Sequence, residues 1–324
     1  MLIIPEAAAR ELVSVEDAIE AVETTFAAMA RGMARNYPVV REMVGHQDAV
    51  YGVKAGFDGS VPLLGLKAGG YWPHNAARGL TNHQSSTVLF DPETGRASAL
   101  VSANYLTGVR TGAASAIATK HLSRPESRVL GIIGTGVQAT YQLSATRTVR
   151  PIDTVHAWDP SPDNLAAFGR FTEGLGLAFK PELERRALVE ASDVIVTVTP
   201  AKAPLIERDW VRPGTHISAM GADTRGKQEL DPALIAAAAV YVDEAGQALS
   251  IGECQHAFGQ GLIDKSALRG TIGQVIAGLC GGRRDANEVT IFDGTGVALQ
   301  DLVVAQLAVR LAAERGLGVA VTDW

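Results

Sequence analysis

The segment Arg128-Val-Leu-Gly-Ile-Ile-Gly134-Thr-Gly136-Val-Gln-Ala139 decides the fold of this chain. Its apolar run is typical of a buried strand, and it leads into the pattern G-x-G-x-x-A and a predicted helix. Gly134 permits the tight turn, Gly136 lets the backbone approach a pyrophosphate, and Ala139 lets the helix pack close to the sheet. The pyrophosphate would bind at the helix N-terminus, where unpaired N–H groups point outward. The segment therefore predicts a dinucleotide-binding domain.

An acidic residue at the end of the next predicted strand supports this interpretation. That strand ends in Ala157-Trp158-Asp159, and Asp159 lies twenty positions after Ala139. A carboxylate there can accept hydrogen bonds from both adenosine ribose hydroxyls and would repel a 2′-phosphate. The sequence therefore favours NAD over NADP. The alternative is that the two glycines only close a turn between a strand and a helix.

The pattern of elements predicts an α/β protein with two domains. Beyond Pro125, strands alternate with helical stretches, which is typical of a parallel sheet with helices on both faces. The predicted strands of this part are Arg128–Ile133, Thr154–Trp158, Asp193–Thr199, Thr215–Met220, Val240–Asp243 and Val289–Phe292. The first hundred residues predict a mostly antiparallel sheet with one helix that Ser14 could cap. An amphipathic helix, Val297 to Glu314, is predicted to return to the first domain.

The predicted division assigns residues 1–122 and 300–324 to an α+β domain and residues 123–299 to a Rossmann domain. Composition excludes other classes, since 47% of the 324 residues are hydrophobic, 20% are charged and the net charge is −6. We expect no nucleic-acid partner without a basic excess, and no membrane span because the longest apolar run is Ala233 to Val242. Cys254 and Cys280 cannot form a disulfide framework, and no Cys/His group has metal-ligand spacing. The N-terminus does not resemble a signal peptide, so the cytoplasm is the predicted location and no metal is expected.

Charged residues in apolar surroundings are candidates for anion binding. Lys67 lies in Gly65-Leu-Lys-Ala-Gly-Gly70, where it could hold a carboxylate or exchange a proton. Lys54 has a similar setting one strand earlier, so composition does not choose between the two lysines. Arg41 and Arg110 could bind a carboxylate through the guanidinium fork, or could be surface charges.

Two further residues have a functional and a structural interpretation. Asp223 follows a predicted strand, where it could face a nicotinamide or lie in a solvated turn. Its segment, Gly221 to Gln228, resembles a phosphate-binding loop, but Gln228 replaces the hydroxyl that would bind Mg²⁺. His83 could donate to a polar substrate or be a structural histidine.

Segments spread in order along the chain resemble the ornithine cyclodeaminase/mu-crystallin family. The matching segments are Gly65-Leu-Lys67, Arg110 to Leu122, Gly131 to Gln138, Thr197 to Thr199, His216 to Asp223, Gly226-Lys227 with Glu229-Leu230, and Phe292 to Gly296. The resemblance implies a substrate-binding and dimerisation domain, a Rossmann domain that binds NAD(P)(H), and a homodimer. It also implies that Arg41, Lys67 and Arg110 bind the substrate carboxylate, and that Asp223 is the acid/base. The implied cofactor contacts are Arg110, Val137, Gln138, Asp159, Thr199, Met220, Gly221, Lys227, Gly294, and Asn82, which replaces a threonine of a relative.

The reaction predicted from the resemblance is hydride transfer between the nicotinamide and the α-carbon of a small imino or amino acid. The loop after Lys67 carries the donors His74, Arg78, Asn82 and His83 and no carboxylate before Asp91, which suits a second substrate carboxylate. We therefore predict an NADH-dependent imino-acid reductase that forms L-aspartate from iminosuccinate. The alternatives are an alanine dehydrogenase-type reaction, cyclisation of ornithine to proline with release of ammonia, and a cofactor-dependent binding protein without turnover.

Overall fold

The structure is a computed structural model that describes residues 1–322. It divides into two compact units, one formed by Met1–Arg110 with the chain from Val297 onward, the other by Thr111–Gly296. The first boundary lies inside a helix, whereas the sequence-based division places it after that helix at residue 122. The predicted range 300–324 ends in Asp323 and Trp324, which lie outside the described residues.

The first unit contains the helices and strands at both ends of the chain, and the second unit contains those between them. The first are β1 (Leu2–Ile4), α1 (Glu6–Leu12), α2 (Val15–Ala30), β2 (Ala34–Asn36), β3 (Val40–Met43), β4 (Val50–Asp58), β5 (Leu63–Tyr71), β6 (His83–Phe90), β7 (Ala97–Ser102) and α3 (Asn104–Leu122). Then come β8 (Val129–Ile133), α4 (Val137–Val149), β9 (Thr154–Trp158), α5 (Pro162–Gly174), β10 (Ala178–Pro181), α6 (Arg185–Ala191), β11 (Val194–Thr197), β12 (Lys202–Ile206), β13 (His216–Ala219), β14 (Gln228–Leu230), α7 (Pro232–Ala237) and β15 (Ala239–Val242). The last are α8 (Ala245–Ser250), α9 (Gln255–Gly259), β16 (Leu268–Thr271), α10 (Ile272–Ile276), β17 (Thr290–Asp293), α11 (Ala298–Arg315) and β18 (Val319–Ala320).

The first unit is built on one sheet with the strand order β18-β1-β7-β6-β5-β4-β2, and β3 also pairs with β4. Its pairings are antiparallel except that of β1 with β7, which confirms the mostly antiparallel prediction. Ser14 caps α2, because its Oγ accepts a hydrogen bond from the Asp17 N–H at 3.1 Å. The prediction of one N-terminal helix is wrong, since α1 precedes α2. Seven residues are too few for α1 to show a helical period.

Helix α11 packs on this sheet, which confirms the predicted return of the C-terminal helix. Gly65 makes the close approach possible, because a Cβ at this position would lie 2.9 Å from the Leu302 side chain. A Cβ on Gly56 would lie 3.3 Å from the Leu299 side chain. The glycines of β4 and β5 therefore bring the first turn of α11 close to the strand that carries Lys67.

The second unit is built on a parallel sheet with the strand order β10-β9-β8-β11-β13-β17-β15-β16. Its core is aliphatic and includes Ile133, Ile195, Ile217, Val240 and Ile291. The predicted strand Thr154–Trp158 is observed in full, and the other predicted strands differ only at their ends. The predicted α/β class with a Rossmann-type domain is therefore confirmed. Strand β8 has β9 on one side and β11 on the other, which makes its carboxyl end the switch point where such sheets bind ligands.

Candidate active site

Lys67 is a buried cation in the first unit. It points from β5 to the face of the sheet that α11 covers. Its Nζ donates to Asp301 Oδ1 at 2.9 Å and lies 3.4 Å from Thr107 Oγ1. Lys54 is its direct partner on β4, so the two side chains project from the same face. The structure thus gives Lys67 a buried carboxylate partner, which composition could not show.

Arg110 is the second buried cation, and it shares the same carboxylate. Its Nε donates to Asp301 Oδ1 at 2.9 Å, and its Nη1 donates to Gln300 Oε1 at 3.0 Å. Both acceptors lie in the first turn of α11. Among the described residues, Asp301 Oδ2 is buried without a hydrogen-bond partner. One carboxylate oxygen therefore joins Lys67 and Arg110.

Burial and neighbouring charges set the protonation of this cluster. Burial lowers the pKa of Lys67 to about 7, since the stabilisation by Asp301 is opposed by the charges of Arg110 and Lys54. Burial by itself would raise the pKa of Asp301, but Arg110, Lys67 and Lys54 outweigh it and hold that pKa at about 2. Asp301 is therefore charged at neutral pH, whereas Lys67 can gain or lose a proton.

The sheet register places further predicted residues on the same face as Lys67. Arg41 pairs with Gly52, and Gly52 lies two positions before Lys54 on β4. His83 pairs with Tyr71, four positions beyond Lys67 on β5. Because residues two or four apart on a strand share a face, Arg41, Lys67 and His83 project from one side of the sheet. This face is therefore cationic.

The loop donors proposed from the sequence already have partners. His74 Nε2 lies 3.2 Å from Asp48 Oδ2, and Arg78 Nη2 donates to Gln47 Oε1 at 3.0 Å. Asn82 accepts from the Ala76 N–H at 3.0 Å, and its Nδ2 donates to Tyr71 Oη at 3.2 Å. The sequence has no carboxylate between Lys67 and Asp91, but the fold places the Asp48 carboxylate beside one of the loop donors, His74. These contacts hold the loop and do not by themselves form an anion site.

In the second unit, the glycine pattern forms the turn that the sequence predicts. Gly134 has φ +92°, and a Cβ there would lie 2.6 Å from Thr199 Cγ2. Gly136 precedes the first turn of α4, and a Cβ there would project into open space. Val137, at the start of α4, has a 69% exposed apolar side chain. Open space beside a helix N-terminus suits a pyrophosphate, so the residues present fit a dinucleotide.

Asp159 lies at the end of β9, beside this turn. Its Oδ2 accepts from the Thr135 N–H at 2.6 Å, and its Oδ1 accepts from the Ser161 N–H at 2.8 Å. Each carboxylate oxygen has a second lone pair, so these contacts leave acceptors for ribose hydroxyls. The two backbone bonds fix the orientation of the carboxylate.

A buried glutamate that the sequence reasoning missed organises the neighbouring strand ends. Glu229 accepts from the Thr199 N–H at 2.7 Å, from Thr199 Oγ1 at 2.8 Å and from the Gly221 N–H at 2.9 Å. Burial raises its pKa, and these hydrogen bonds oppose the rise. Glu229 is therefore placed to fix two predicted cofactor contacts. The family segment that includes Glu229 gave a signal, but sequence could not show that its side chain turns inward.

Asp223 and Lys227 form an ion pair beyond the end of β13. Lys227 Nζ donates to Asp223 Oδ1 at 2.7 Å and to the Gly221 carbonyl at 3.1 Å. The segment continues into β14, not into the helix of a phosphate-binding loop. Gly294 follows β17, and a Cβ there would lie 2.6 Å from Met220 Sδ. The predicted contacts Thr199, Met220, Gly221, Lys227 and Gly294 thus gather at the carboxyl edge of the sheet.

Asp301 is the other functional candidate that sequence reasoning missed. It lies 234 positions from Lys67 and 191 from Arg110 in sequence. The signal available in the sequence was the polar pair Gln300-Asp301 at the start of a predicted helix whose neighbouring residues are apolar.

Among residues 1–322, no group of His, Cys, Asp and Glu could hold a metal ion. No helix in the same range has the length and hydropathy of a membrane span.

Comparison with known sequences identifies related proteins along nearly the whole chain. The sequence profile of the ornithine cyclodeaminase/mu-crystallin family matches residues 3–315. The chain is 51% identical over 318 residues to an iminosuccinate reductase of Paracoccus denitrificans, with 98% of each chain covered. It is 38% identical over 317 residues to an alanine dehydrogenase of Archaeoglobus fulgidus, with 98% of this chain and 97% of that protein covered.

Solved structures agree with these sequence matches. The crystal structure of the Paracoccus denitrificans iminosuccinate reductase with NAD⁺ has a TM-score of 0.94 at 50% identity and 99% coverage of both chains. A Thermococcus litoralis Δ1-pyrroline-2-carboxylate reductase, in complex with NADH and L-proline, gives 0.95 at 32% identity, covering 99% of this chain and 100% of that one. An archaeal alanine dehydrogenase dimer with bound NAD gives 0.94 at 36% identity, covering 100% and 99%.

Proposed function

The chain belongs to the ornithine cyclodeaminase/mu-crystallin family, and we propose that it reduces a 2-imino acid to an L-amino acid with NADH. The proposed substrate is iminosuccinate and the product L-aspartate. The observation that carries this proposal is the 51% identity, over 98% of both chains, to the Paracoccus iminosuccinate reductase. The cationic face of the first unit and the dinucleotide edge of the second suit the two ligands of such a reaction.

The cations of the first unit are proposed to hold the substrate's α-carboxylate. Lys67 and Arg110 are buried, so their contacts with a carboxylate are weakly screened by water. Arg41 lies on the same sheet face, and His83 is proposed to contact a polar substrate group from that face. Fixing the carboxylate also fixes the adjacent α-carbon, which is the atom that must be positioned for reduction.

Asp223 is proposed to keep the imine nitrogen protonated, directly or through a water molecule. The carbon of an imine that is protonated on nitrogen accepts a hydride more readily than the carbon of a neutral imine. NADH, when bound, supplies that hydride. The C=N double bond becomes a C–N single bond, the α-carbon gains hydrogen, and the nitrogen keeps its proton. Lys227 holds the Asp223 carboxylate at 2.7 Å and so fixes its orientation.

The charge of the substrate separates this proposal from the alternatives. Iminosuccinate carries two carboxylates, and Lys54 adds positive charge on the face that carries Lys67 and Arg41. Ornithine brings a second ammonium group, which the same face would repel. An alanine dehydrogenase-type reaction on pyruvate and ammonia is the second candidate, since an archaeal alanine dehydrogenase shares 36% identity and a TM-score of 0.94.

A substrate panel tests the proposed function. The purified chain should oxidise NADH steadily with oxaloacetate plus ammonium, and L-aspartate should accumulate. Oxaloacetate without ammonium is the control for simple ketone reduction. Consumption with pyruvate plus ammonium alone would favour the alanine dehydrogenase-type reaction. Proline and ammonia from ornithine, without net change in NAD⁺, would favour cyclisation, and no turnover with any of them would favour a binding protein.

NADH is proposed to be preferred over NADPH because of Asp159. Its carboxylate is fixed by the Thr135 and Ser161 N–H groups, and a 2′-phosphate near it would meet a like charge. Asp159→Asn should shift the NADPH-to-NADH ratio of kcat/KM towards NADPH by about tenfold or more. Asp153→Asn, at an exposed carboxylate before β9, is the matched control. A wild-type enzyme that prefers NADPH would contradict the role of Asp159.

The chain is proposed to act in the cytoplasm as a homodimer assembled through its first unit. Met43 and Tyr71 of this unit both pair with Val50 in one row across the sheet, and their apolar side chains are 64% and 47% exposed. Neighbouring exposed apolar side chains of this size favour a protein interface. Light scattering should give about twice the 34.0 kDa of one chain, and Met43→Glu should lower that mass. A wild-type mass of one chain at micromolar concentration would contradict the dimer.

A further inference from the structure

Asp301 lies between the two buried cations of the first unit and touches both. Its Oδ1 accepts from Lys67 Nζ and from Arg110 Nε, each at 2.9 Å. We propose that Asp301 is a positioning residue that orients Lys67 and Arg110 towards the substrate carboxylate and keeps Lys67 charged. The inference rests on the proposed function only where it assigns these cations to the substrate.

The hydrogen bonds of Arg110 show how Asp301 can orient a binding group. A guanidinium has five N–H donors in a fixed plane. Asp301 accepts the Nε–H and Gln300 accepts one N–H of Nη1, so two bonds to α11 fix the plane of the group. The two N–H groups of Nη2 and the second N–H of Nη1 are the donors left for a substrate carboxylate.

The charge of Asp301 matters most for Lys67. The charged groups that act on Lys67 are Asp301 from α11, Arg110 from α3 and Lys54 from β4. Burial, Arg110 and Lys54 all lower the pKa of Lys67, and Asp301 raises it. Without the Asp301 charge, the pKa of Lys67 would be lower still. A neutral Lys67 attracts a carboxylate less strongly than an ammonium does.

Asp301 itself stays charged over the pH range in which Lys67 titrates. Its pKa is about 2, because Arg110, Lys67 and Lys54 outweigh the effect of burial. It also lies in the first turn of α11, where the positive end of the helix dipole favours a carboxylate. A change in activity near pH 7 would therefore not report Asp301.

The pH dependence of Asp301→Asn tests this assignment. With the wild type, kcat/KM for iminosuccinate formed from oxaloacetate and ammonium should fall as the pH rises through the pKa of Lys67. In Asp301→Asn that limb should move to lower pH by about one to three units, the usual effect of removing an adjacent opposite charge. Imine formation affects every variant equally, so the difference between profiles reports the protein.

Gln300→Ala is the matched control, because Gln300 contacts the same guanidinium without carrying a charge. It should lower kcat/KM through poorer orientation of Arg110 but leave the limb in place. If Asp301→Asn lowers activity equally at every pH, Asp301 is only structural and the inference is wrong. Thermal unfolding of each variant shows whether a lower kcat/KM comes from loss of folded protein.

A measurement that needs no turnover separates this inference from the proposed function. In protein labelled with ¹³C and ¹⁵N at lysine, the Lys67 side-chain signal, assigned with Lys67→Met, should titrate near pH 7 in the wild type. It should titrate at lower pH in Asp301→Asn and at the wild-type pH in Gln300→Ala. A shifted titration without iminosuccinate reduction would overturn the proposed substrate but support the role of Asp301. Reduction of iminosuccinate with an unshifted titration would overturn the role of Asp301 alone.

Discussion

Replacing Lys67 with methionine is expected to lower kcat/KM for iminosuccinate by about 10²- to 10³-fold, the usual effect of removing one charged group that stabilises a reacting anion. Methionine preserves the length and the apolar stem of lysine but cannot bind a carboxylate. The change also removes the Lys67 hydrogen bond to the buried Asp301, which keeps the bond from Arg110. Steady-state NADH oxidation measures the effect.

Two controls separate a binding defect from a folding defect in this variant. Lys180→Met changes an exposed lysine on β10 and should leave kcat/KM unchanged. NADH binding, followed by its fluorescence, should be retained by Lys67→Met because Lys67 is not among the predicted cofactor contacts. A Lys67→Met enzyme with wild-type kcat/KM and normal stability would show that the substrate carboxylate binds elsewhere.

Replacing Asp223 with asparagine is expected to lower kcat by about 10²- to 10⁴-fold, the range for loss of a general acid. Asparagine has nearly the same shape and can still accept a hydrogen bond from Lys227, which lies 2.7 Å from the carboxylate. It carries no negative charge to keep the imine nitrogen protonated, directly or through a water molecule. The defect should therefore lie in kcat, measured at saturating substrate, with NADH affinity close to that of the wild type.

Asp231→Asn is the matched control for this carboxylate, because Asp231 caps α7 in the same unit through the Ala233 N–H. It should lower stability without a comparable loss of kcat. If Asp223→Asn retains full kcat while Lys67→Met does not, another group protonates the imine, and Lys67, with a pKa of about 7, becomes the first candidate.

Local sequence predicted those parts of the structure that depend on neighbouring residues. The glycine turn is one example, because Gly134 adopts φ +92° and a Cβ would meet Thr199. The parallel strands are another, since continuous apolar runs such as Val129–Ile133 indicate a buried strand when turns and helices flank them. The cap at Ser14 is a third, because the donor lies only three residues away.

What sequence could not predict depends on side chains brought together by the tertiary fold. Lys67 and Lys54 have similar local sequences, and only the position of α11 gives Lys67 its carboxylate partner. The inward turn of Glu229 depends on the ends of β11 and β13 lying side by side. The roles of Lys67, Asp223 and Asp159 remain predictions that the variants above test.

The destination of the transferred hydride tests the central claim most directly. The enzyme would be incubated with oxaloacetate, ammonium and NADH carrying deuterium at both positions of nicotinamide C4, and the amino acid analysed by mass spectrometry and NMR. The expected product is L-aspartate with one deuterium on its α-carbon. Aspartate without deuterium, or label found only in a hydroxy acid, would contradict reduction of a 2-imino acid by this protein.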